Sequence, residues 1–433
     1  MTRPQALACF RFRFRRPTAR DLRRRGMVAV HVALCLVPLC GVTAFAIDGG
    51  MMMEYRRRVQ AAADAAALAA AAELYRDYAT NSGADPNGSA SACATTSASD
   101  NGFSTASTLT VSIPPASGPF QGKLGYAEVV LQYNMPRGFS SILGSGSLPI
   151  KARSVARGQW SPFNNGILLL DPTSSGSLSD SGNGTVIVSG ANIVIDSSSA
   201  TAASASGNAT ITAPEIVITG RPGDVTSGHG KFVGAIDSGA DPTVDPLLYL
   251  PAPDPSAMPT VMSSKYSLPN GMTVLTPGVY VGGISLSGNA SAVLLPGIYY
   301  LKGGGFSMSG NGSLTAPGVM FYNDPGSSGG AISITGNGSV TISPPLSGTY
   351  KGISVFQNRT ATTSVSITGN GGMNMIGTLY VPHARLNVSG NGSNNIVGSQ
   401  YISYDLSVSG NGLVSVVWTA ATTANARSFG LVE

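Results

Sequence analysis

The chain has 433 residues, enough for two or three domains, and a formal net charge of +5. Charged residues make up only 11% of it, well below the roughly 25% typical of soluble globular proteins. The basic excess comes from residues 1–25, which hold nine Arg and one Asp, whereas residues 165–433 hold eight Lys or Arg and twelve Asp or Glu. The composition therefore argues against a nucleic-acid-binding domain.

The first predicted element is a transmembrane helix over residues 27–47, a run of 21 residues without Asp, Glu, Lys or Arg. That length is enough to cross the hydrocarbon core of a bilayer. Arg23, Arg24 and Arg25 directly precede the run, which predicts a cytoplasmic tail over 1–26 and an extracytoplasmic remainder. A cleaved signal peptide is the alternative, because Ala44-Phe45-Ala46 resembles a cleavage site.

A second helix, a stalk over residues 48–80, follows Asp48-Gly49-Gly50. Between Gln60 and Leu74 its sequence is mainly Ala, the residue with the highest helix propensity. Residues 81–160 then alternate apolar and polar side chains in three short runs, 108–113, 128–133 and 148–156. We expect a small α+β module in which a helix packs on an antiparallel sheet.

Residues 165–418 contain an internal repeat. A Ser/Thr-Gly-Asn-Gly/Ala tetrapeptide recurs, each time after a short alternating run, with its asparagine at Asn183, Asn208, Asn289, Asn311, Asn337, Asn370, Asn391 and Asn411. Gly and Asn tolerate the left-handed backbone of sharp corners, and stacked asparagines can form an amide ladder. The fold class predicted for this mainly β chain is therefore a right-handed parallel β-helix, with a β-sandwich of Asn-Gly hairpins as the alternative.

The repeat lapses over residues 220–272, which contain His229, many prolines and the acids Asp237, Asp241, Asp245 and Asp254. We interpret this segment as a long insertion packed on the flank of the solenoid. Its spacing of His and Asp matches no zinc or calcium pattern, and no metal site or cofactor is predicted. Residues 419–433 are expected to form a C-terminal tail.

One N-terminal pattern resembles a known family. Arg25-Gly26, an apolar run, Ala46-Ile47-Asp48-Gly49 and then residues 58–69 are similar to the N-terminus of TadE/TadG-like Flp pilus-assembly proteins, and the similarity extends to about residue 160. The motif positions are Asp48, Gln60, Ala63, Asp64, Ala65 and Leu68. The resemblance implies a pseudopilin-like bacterial envelope protein without known catalysis.

The same resemblance makes Gly26, Met27 and His31 candidates for prepilin-type processing. Type IV pilins generally carry Glu five residues after the processed glycine, and His31 occupies that position here. This departure weighs against cleavage after Gly26.

Together these features predict a single-pass protein of the cytoplasmic membrane that belongs to a tight-adherence or Flp pilus system and presents a structural or adhesive solenoid. No catalytic residue is predicted. The expected partners are membrane lipid, other pilus-assembly or pseudopilin subunits and surface polysaccharide, and no nucleic acid. A carbohydrate-active β-helix enzyme and a minor pseudopilin are the alternatives.

Overall fold

The computed structural model of the chain describes residues 19–104, 107–142, 144–368, 371–390 and 396–433. They form two compact units. One takes in the N-terminal helix as far as Leu74, with Ala84–Arg157 and Gly430–Glu433, and the other contains Tyr75–Gly83 and Gly158–Phe429.

A single α-helix runs from Ala19 to Arg76. The sequence predicted two helices that meet at Asp48-Gly49-Gly50, but both glycines lie inside the helix. Each glycine costs about 1 kcal/mol relative to alanine, and the strong helix formers on either side outweigh that cost. Two shorter helices follow, Tyr78–Asn81 and Ser89–Asp100.

The first unit has the predicted α+β form. Its antiparallel sheet contains Ser107–Ser112, Tyr126–Pro136 and Ser147–Pro162, and a 3₁₀ turn spans Phe139–Ile142. A fourth strand, Asn425–Leu431, completes the sheet beside Ser147–Pro162. The expectation of a tail over 419–433 was therefore wrong, because these residues pair with a strand far away in the sequence.

The last residues of the chain are fixed by contacts in this unit. The backbone N–H of Val155 donates to the carbonyl of Glu433 at 2.8 Å, and Nη1 of Arg153 lies 2.7 Å from the Glu433 carboxylate. Arg153 also pairs with the buried Glu128. Burial alone would raise the pKa of Glu128, but hydrogen bonds from Ser117 and Arg153 outweigh burial and hold that pKa below its ordinary value.

The second unit is a parallel β-solenoid of about 11 turns, which confirms the predicted coil and rules out hairpins, since its strand pairs are parallel. Three faces make up each turn. In stacking order, the first face contains Thr260–Met262, Gly278–Val281, Gly297–Lys302, Val319–Asp324, Ile353–Gln357, the first parts of Thr378–Gly390 and Gln400–Gly410, then Asn165–Leu169, Asn192–Ile195 and the last parts of Thr210–Ile218 and Lys231–Ser238.

The second and third faces follow the same order. The second contains Tyr266–Ser267, Ile284–Leu286, Phe306–Met308, Ile332–Ile334, Val365–Thr368, the last parts of Thr378–Gly390 and Gln400–Gly410, then Leu178–Gly182, Ala203–Gly207 and Asp224–Gly228. The third contains Gly271–Leu275, Ala290–Leu294, Leu314–Ala316, Val340–Ile342, Met373–Met375, Ile396–Gly398, Leu413–Val417, Thr185–Ser189 and the first parts of Thr210–Ile218 and Lys231–Ser238.

The coils do not stack in chain order. The last coil, residues 400–417, pairs with the first coil, residues 165–189, through Ile402 with Leu168, Leu406 with Leu178 and Val414 with Val186. We call this contact the seam. Residues 165–238 therefore continue the stack beyond its C-terminal coil.

Because of this order, the chain must return along the whole stack after residue 238. Residues 239–259 do so and are called the strap. The predicted insertion over 220–272 was too wide, since Asp224–Gly228, Lys231–Ser238 and Gly271–Leu275 are regular rungs. Within the strap, Leu247 and Leu250 are buried against the outer side of the first face beside Tyr300, Phe356 and Tyr380.

Candidate functional site

The N-terminal helix has an apolar surface that no described residue of its unit covers. Within residues 27–47 the large apolar side chains are exposed, up to 80% at Phe45. Among the described residues this is the one helix long and apolar enough to cross a membrane. Of the processing candidates, Nδ1 of His31 lies 2.7 Å from the carbonyl oxygen of Met27, so the imidazole bonds to its own helix. Gly26 lies within the same helix.

The second half of this helix presents a buried face of small residues. Ala63, Ala66, Ala67, Ala70 and Ala71 have no exposed surface, and their spacing of three and four places them on one side of the helix. They pack in one apolar cluster with Ala127, Val129 and Leu131 of the sheet and with alanines of Ser89–Asp100. The alanine-rich motif thus allows helix and sheet to approach closely.

Asp48 fixes a turn of the sheet layer to the helix. The residue is 5% exposed, and its carboxylate accepts the backbone N–H groups of Phe139 at 3.0 Å and Ser140 at 2.7 Å. Hydrogen bonds from Ser140 and from the Phe139 backbone hold the pKa of Asp48 below its ordinary value. The charged form is therefore the one that the turn stabilises.

The other motif positions lie nearby on the same helix. Nε2 of Gln60 donates to Oδ1 of Asp64 at 2.8 Å and to the carbonyl of Arg153 at 3.2 Å, which links helix and sheet. Leu68 is half-buried against the apolar cluster, and Ala65 is half-buried. The structure thus brings Gln60, Ala63 and Asp64 to the helix–sheet contact, and Asp48 to the turn.

The repeat asparagines that the structure describes lie in one column of corners between the second and third faces. Nδ2 of Asn183 donates to Oδ1 of Asn411 at 2.8 Å, and Nδ2 of Asn208 donates to Oδ1 of Asn183 at 2.7 Å. The backbone N–H groups of Asn311 and Asn337 donate to glycines of the preceding corners, and the backbone N–H of Asn289 donates to a side chain there. Asn370 and Asn391 lie outside the described residues.

Two further residues lie in this column although their sequences do not match the tetrapeptide motif. The backbone N–H of His229 donates to the carbonyl of Gly207 at 2.6 Å, as the asparagines do, and Oδ1 of Asn270 accepts from the N–H of Asn289 at 3.2 Å. The sequence signal was present, since Ser227-Gly228-His229-Gly230 has the motif with one residue changed.

The outward side of the second face carries an uncharged polar column. Nine successive rungs in register hold serine or asparagine, in the order Ser267, Ser285, Ser307, Ser333, Ser366, Asn387, Ser407, Ser179 and Ser204. The Ser307 hydroxyl donates to that of Ser285 at 2.9 Å. The first face is covered by the strap along part of its length, whereas the serine and asparagine column of the second face is open to solvent.

Arg359 holds the strap in place. Its Nη2 donates to the carbonyls of Leu247 at 2.6 Å and Leu250 at 2.7 Å, and its Nε donates to the Tyr380 hydroxyl at 2.9 Å. That hydroxyl donates to Asp245 at 2.7 Å. The guanidinium also lies over the rings of Phe356 and Tyr380, so one side chain joins two successive coils and the strap.

Two carboxyls of the solenoid have raised pKa values because burial penalises their charged forms, to about 7 for Asp180 and about 6 for Asp196. They are 1% and 6% exposed, and neither is presented to a polymeric substrate. No group of three or more metal-ligating side chains occurs among the described residues.

Comparison with known proteins locates one similarity. Residues 26–73 match the family model described as "Putative Flp pilus-assembly TadE/G-like". No curated protein matches the chain, and no solved structure matches it.

Proposed function

We propose, on the premise of this TadE/G-like N-terminal segment, that the chain is an anchored component of a Flp pilus system and presents its solenoid outside the cytoplasmic membrane. One observation carries the proposal. The matched residues 26–73 coincide with a single helix whose first half is exposed and apolar and whose second half is packed against its own sheet layer.

The role is structural or adhesive, and not catalytic. The arginines before residue 27 support a cytoplasmic N-terminus. The uncharged Ser and Asn column supports contact with neutral or acidic surface polysaccharide through hydroxyl groups, and the membrane-facing half of the helix supports contact with lipid and with other pilus-assembly subunits.

N-terminal sequencing of the mature protein, combined with membrane fractionation, tests the anchor. We expect a mature chain that retains residues before Met27 and leaves the membrane only in detergent. A chain that starts at Met27 would instead indicate a processed pseudopilin, and a soluble chain that starts at Ile47 or later would indicate a signal peptide.

Deletion of the gene in the host tests the link to the pilus. We expect loss of pilus-dependent adherence, restored by the full chain but not by one lacking residues 27–47. Unchanged piliation and adherence in the deletion strain would contradict the assignment.

A further inference from the structure

A notch interrupts the corner between the first and second faces of the solenoid. The corners of two successive coils are short there, Gly282-Gly283 and Gly303-Gly304-Gly305, whereas the next corner is longer and contains the 3₁₀ turn Gly326–Ser328. The resulting hollow has a volume of about 660 Å³ and is lined by Lys265, Lys302, Asp324 and Ser327 around a floor of glycines. Ligand sites commonly have volumes of about 300–1,000 Å³.

At two positions of the floor, Gly283 and Gly304, the neighbouring backbone leaves no room for a side chain. A Cβ atom on Gly304 would lie 1.8 Å from the carbonyl oxygen of Gly282, and one on Gly283 would lie 2.2 Å from that of Gly305. Side chains therefore cannot fill the hollow from below, and its depth is a fixed property of the coil.

Its walls concentrate positive charge in a charge-poor unit. Residues 165–433 contain eight Lys or Arg, and two of these eight, Lys265 and Lys302, line this one hollow. Lys302 lies in register between Val281 and Asp324. Both ammonium groups are exposed, and among the described residues neither has a carboxylate within salt-bridge distance.

Asp324 is oriented by other groups. Its Oδ2 accepts the Tyr300 hydroxyl at 2.9 Å, and its Oδ1 accepts Nδ2 of Asn358 at 3.0 Å. Each carboxylate oxygen has further acceptor capacity. The notch thus combines two free cations with a fixed carboxylate and the hydroxyl of Ser327.

We propose that this notch binds a sugar acid, a uronate unit within an acidic polysaccharide. The two lysines would pair with the sugar carboxylate, while Asp324 and Ser327 would accept and donate hydrogen bonds to ring hydroxyls. The inference extends the adhesive part of the proposed function and rests on it only for the contact between the solenoid and extracellular polysaccharide.

Calorimetric titration of the full chain in detergent micelles tests the site, with trigalacturonate as the acidic probe, a neutral galactose trimer as its uncharged counterpart and inorganic phosphate as a simple anion. We expect binding of trigalacturonate alone, weakened about tenfold by Lys302→Gln or Lys265→Gln, since each removes one charge-assisted contact. Lys231→Gln, an exposed lysine outside the notch, is the matched control and should leave the affinity within about twofold.

Three outcomes would overturn the proposal: equal binding of the neutral trimer, equal displacement by phosphate, or the same affinity in the Lys302→Gln and Lys231→Gln variants. None of them bears on membrane anchoring or adherence in the host, so failure of this site and failure of the pilus assignment remain distinguishable.

Discussion

At the scale of single residues, Asp180 places a carboxyl group among apolar neighbours inside the solenoid. Its position on the second face is paired with Val408 and Ala205 in neighbouring rungs, and neither of its oxygens has a hydrogen-bond partner among the described residues. A carboxyl buried in this way favours its neutral form, which is why its pKa rises from 3.8 to about 7.

We expect this carboxyl to make the stability of the solenoid depend on pH. Below about pH 4 it is neutral in both folded and unfolded chains, between about pH 4 and 7 only the unfolded chain ionises, and above about pH 7 the full penalty of about 4 kcal/mol applies. Asp180→Asn should therefore raise the melting temperature at pH 8 relative to wild type more than at pH 4.

Thermal unfolding of the full chain followed by circular dichroism measures this difference. Asp241→Asn, at an exposed position of the strap, controls for the loss of one negative charge. Equal shifts for Asp180→Asn at both pH values would show that the buried carboxyl does not control stability.

Arg359 is the second residue with a decisive role, because it donates to the strap and to Tyr380 at once. Arg359→Ala should weaken attachment of the strap by about 3 kcal/mol, since hydrogen bonds from charged groups are lost from a half-buried site. We expect faster chymotrypsin cleavage at Tyr249, which is 68% exposed on the strap, while Lys231→Ala leaves the cleavage rate unchanged. A wild-type rate in Arg359→Ala would mean that apolar packing of Leu247 and Leu250 is sufficient.

At the scale of elements, the corner is the feature that the sequence defines best. A Cβ atom on Gly312, just after Asn311, would lie 1.7 Å from the carbonyl oxygen of Ala290 in the adjacent coil, whereas one on Gly372 would have no atom within 4 Å. Spacing between coils therefore depends on particular glycines and not on glycine content.

Gly312→Ala should lower the free energy of unfolding by about 2 kcal/mol or more, because two backbones must separate, whereas Gly372→Ala should be close to neutral. Chemical denaturation of both variants gives the comparison. Similar midpoints for the two would show that the coils tolerate local separation.

The elements also show where sequence reasoning ends. Alternation and the Gly-Asn motif predicted the coil, the corner column and the helix on a sheet, because these follow from contacts between near neighbours. The strand Asn425–Leu431 and the order of coils were missed, since pairing between distant segments leaves no periodic signal. His229 and Asn270 fall outside the motif for a simpler reason: their corners read Ser-Gly-His-Gly and Leu-Pro-Asn-Gly, which depart from the Ser/Thr-Gly-Asn-Gly/Ala pattern. In the candidate site, Asp48 and Gln60 were identified by resemblance, but their contacts with Ser140 and Arg153 came from tertiary structure.

At the scale of the whole molecule, the seam determines how the solenoid holds together. Residues 165–238 are bound to the rest of the stack through one coil-to-coil contact and through the strap. We expect Leu406→Ala, which removes a 1% exposed side chain paired with Leu178, to cost about 2–5 kcal/mol and to open residues 165–238 as a unit.

Hydrogen exchange measured by mass spectrometry distinguishes that opening from general destabilisation. Leu286→Ala, equally buried but remote from the seam, should cost a similar amount without selective exchange over 165–238. Uniform loss of protection in both variants would mean that the stack unfolds as one cooperative body.

The seam also determines the order in which the coils can form during synthesis. A ribosome completes residues 165–238 first, yet the coil on which they rest is among the last segments made. The coils of residues 165–238 pair with one another in chain order, but the other edge of the first coil stays unpaired until residues 400–417 are made. Such long-range closure slows folding and leaves unpaired strand edges exposed meanwhile. The strands at that edge of the first coil are therefore open to incorrect pairing until synthesis is nearly finished.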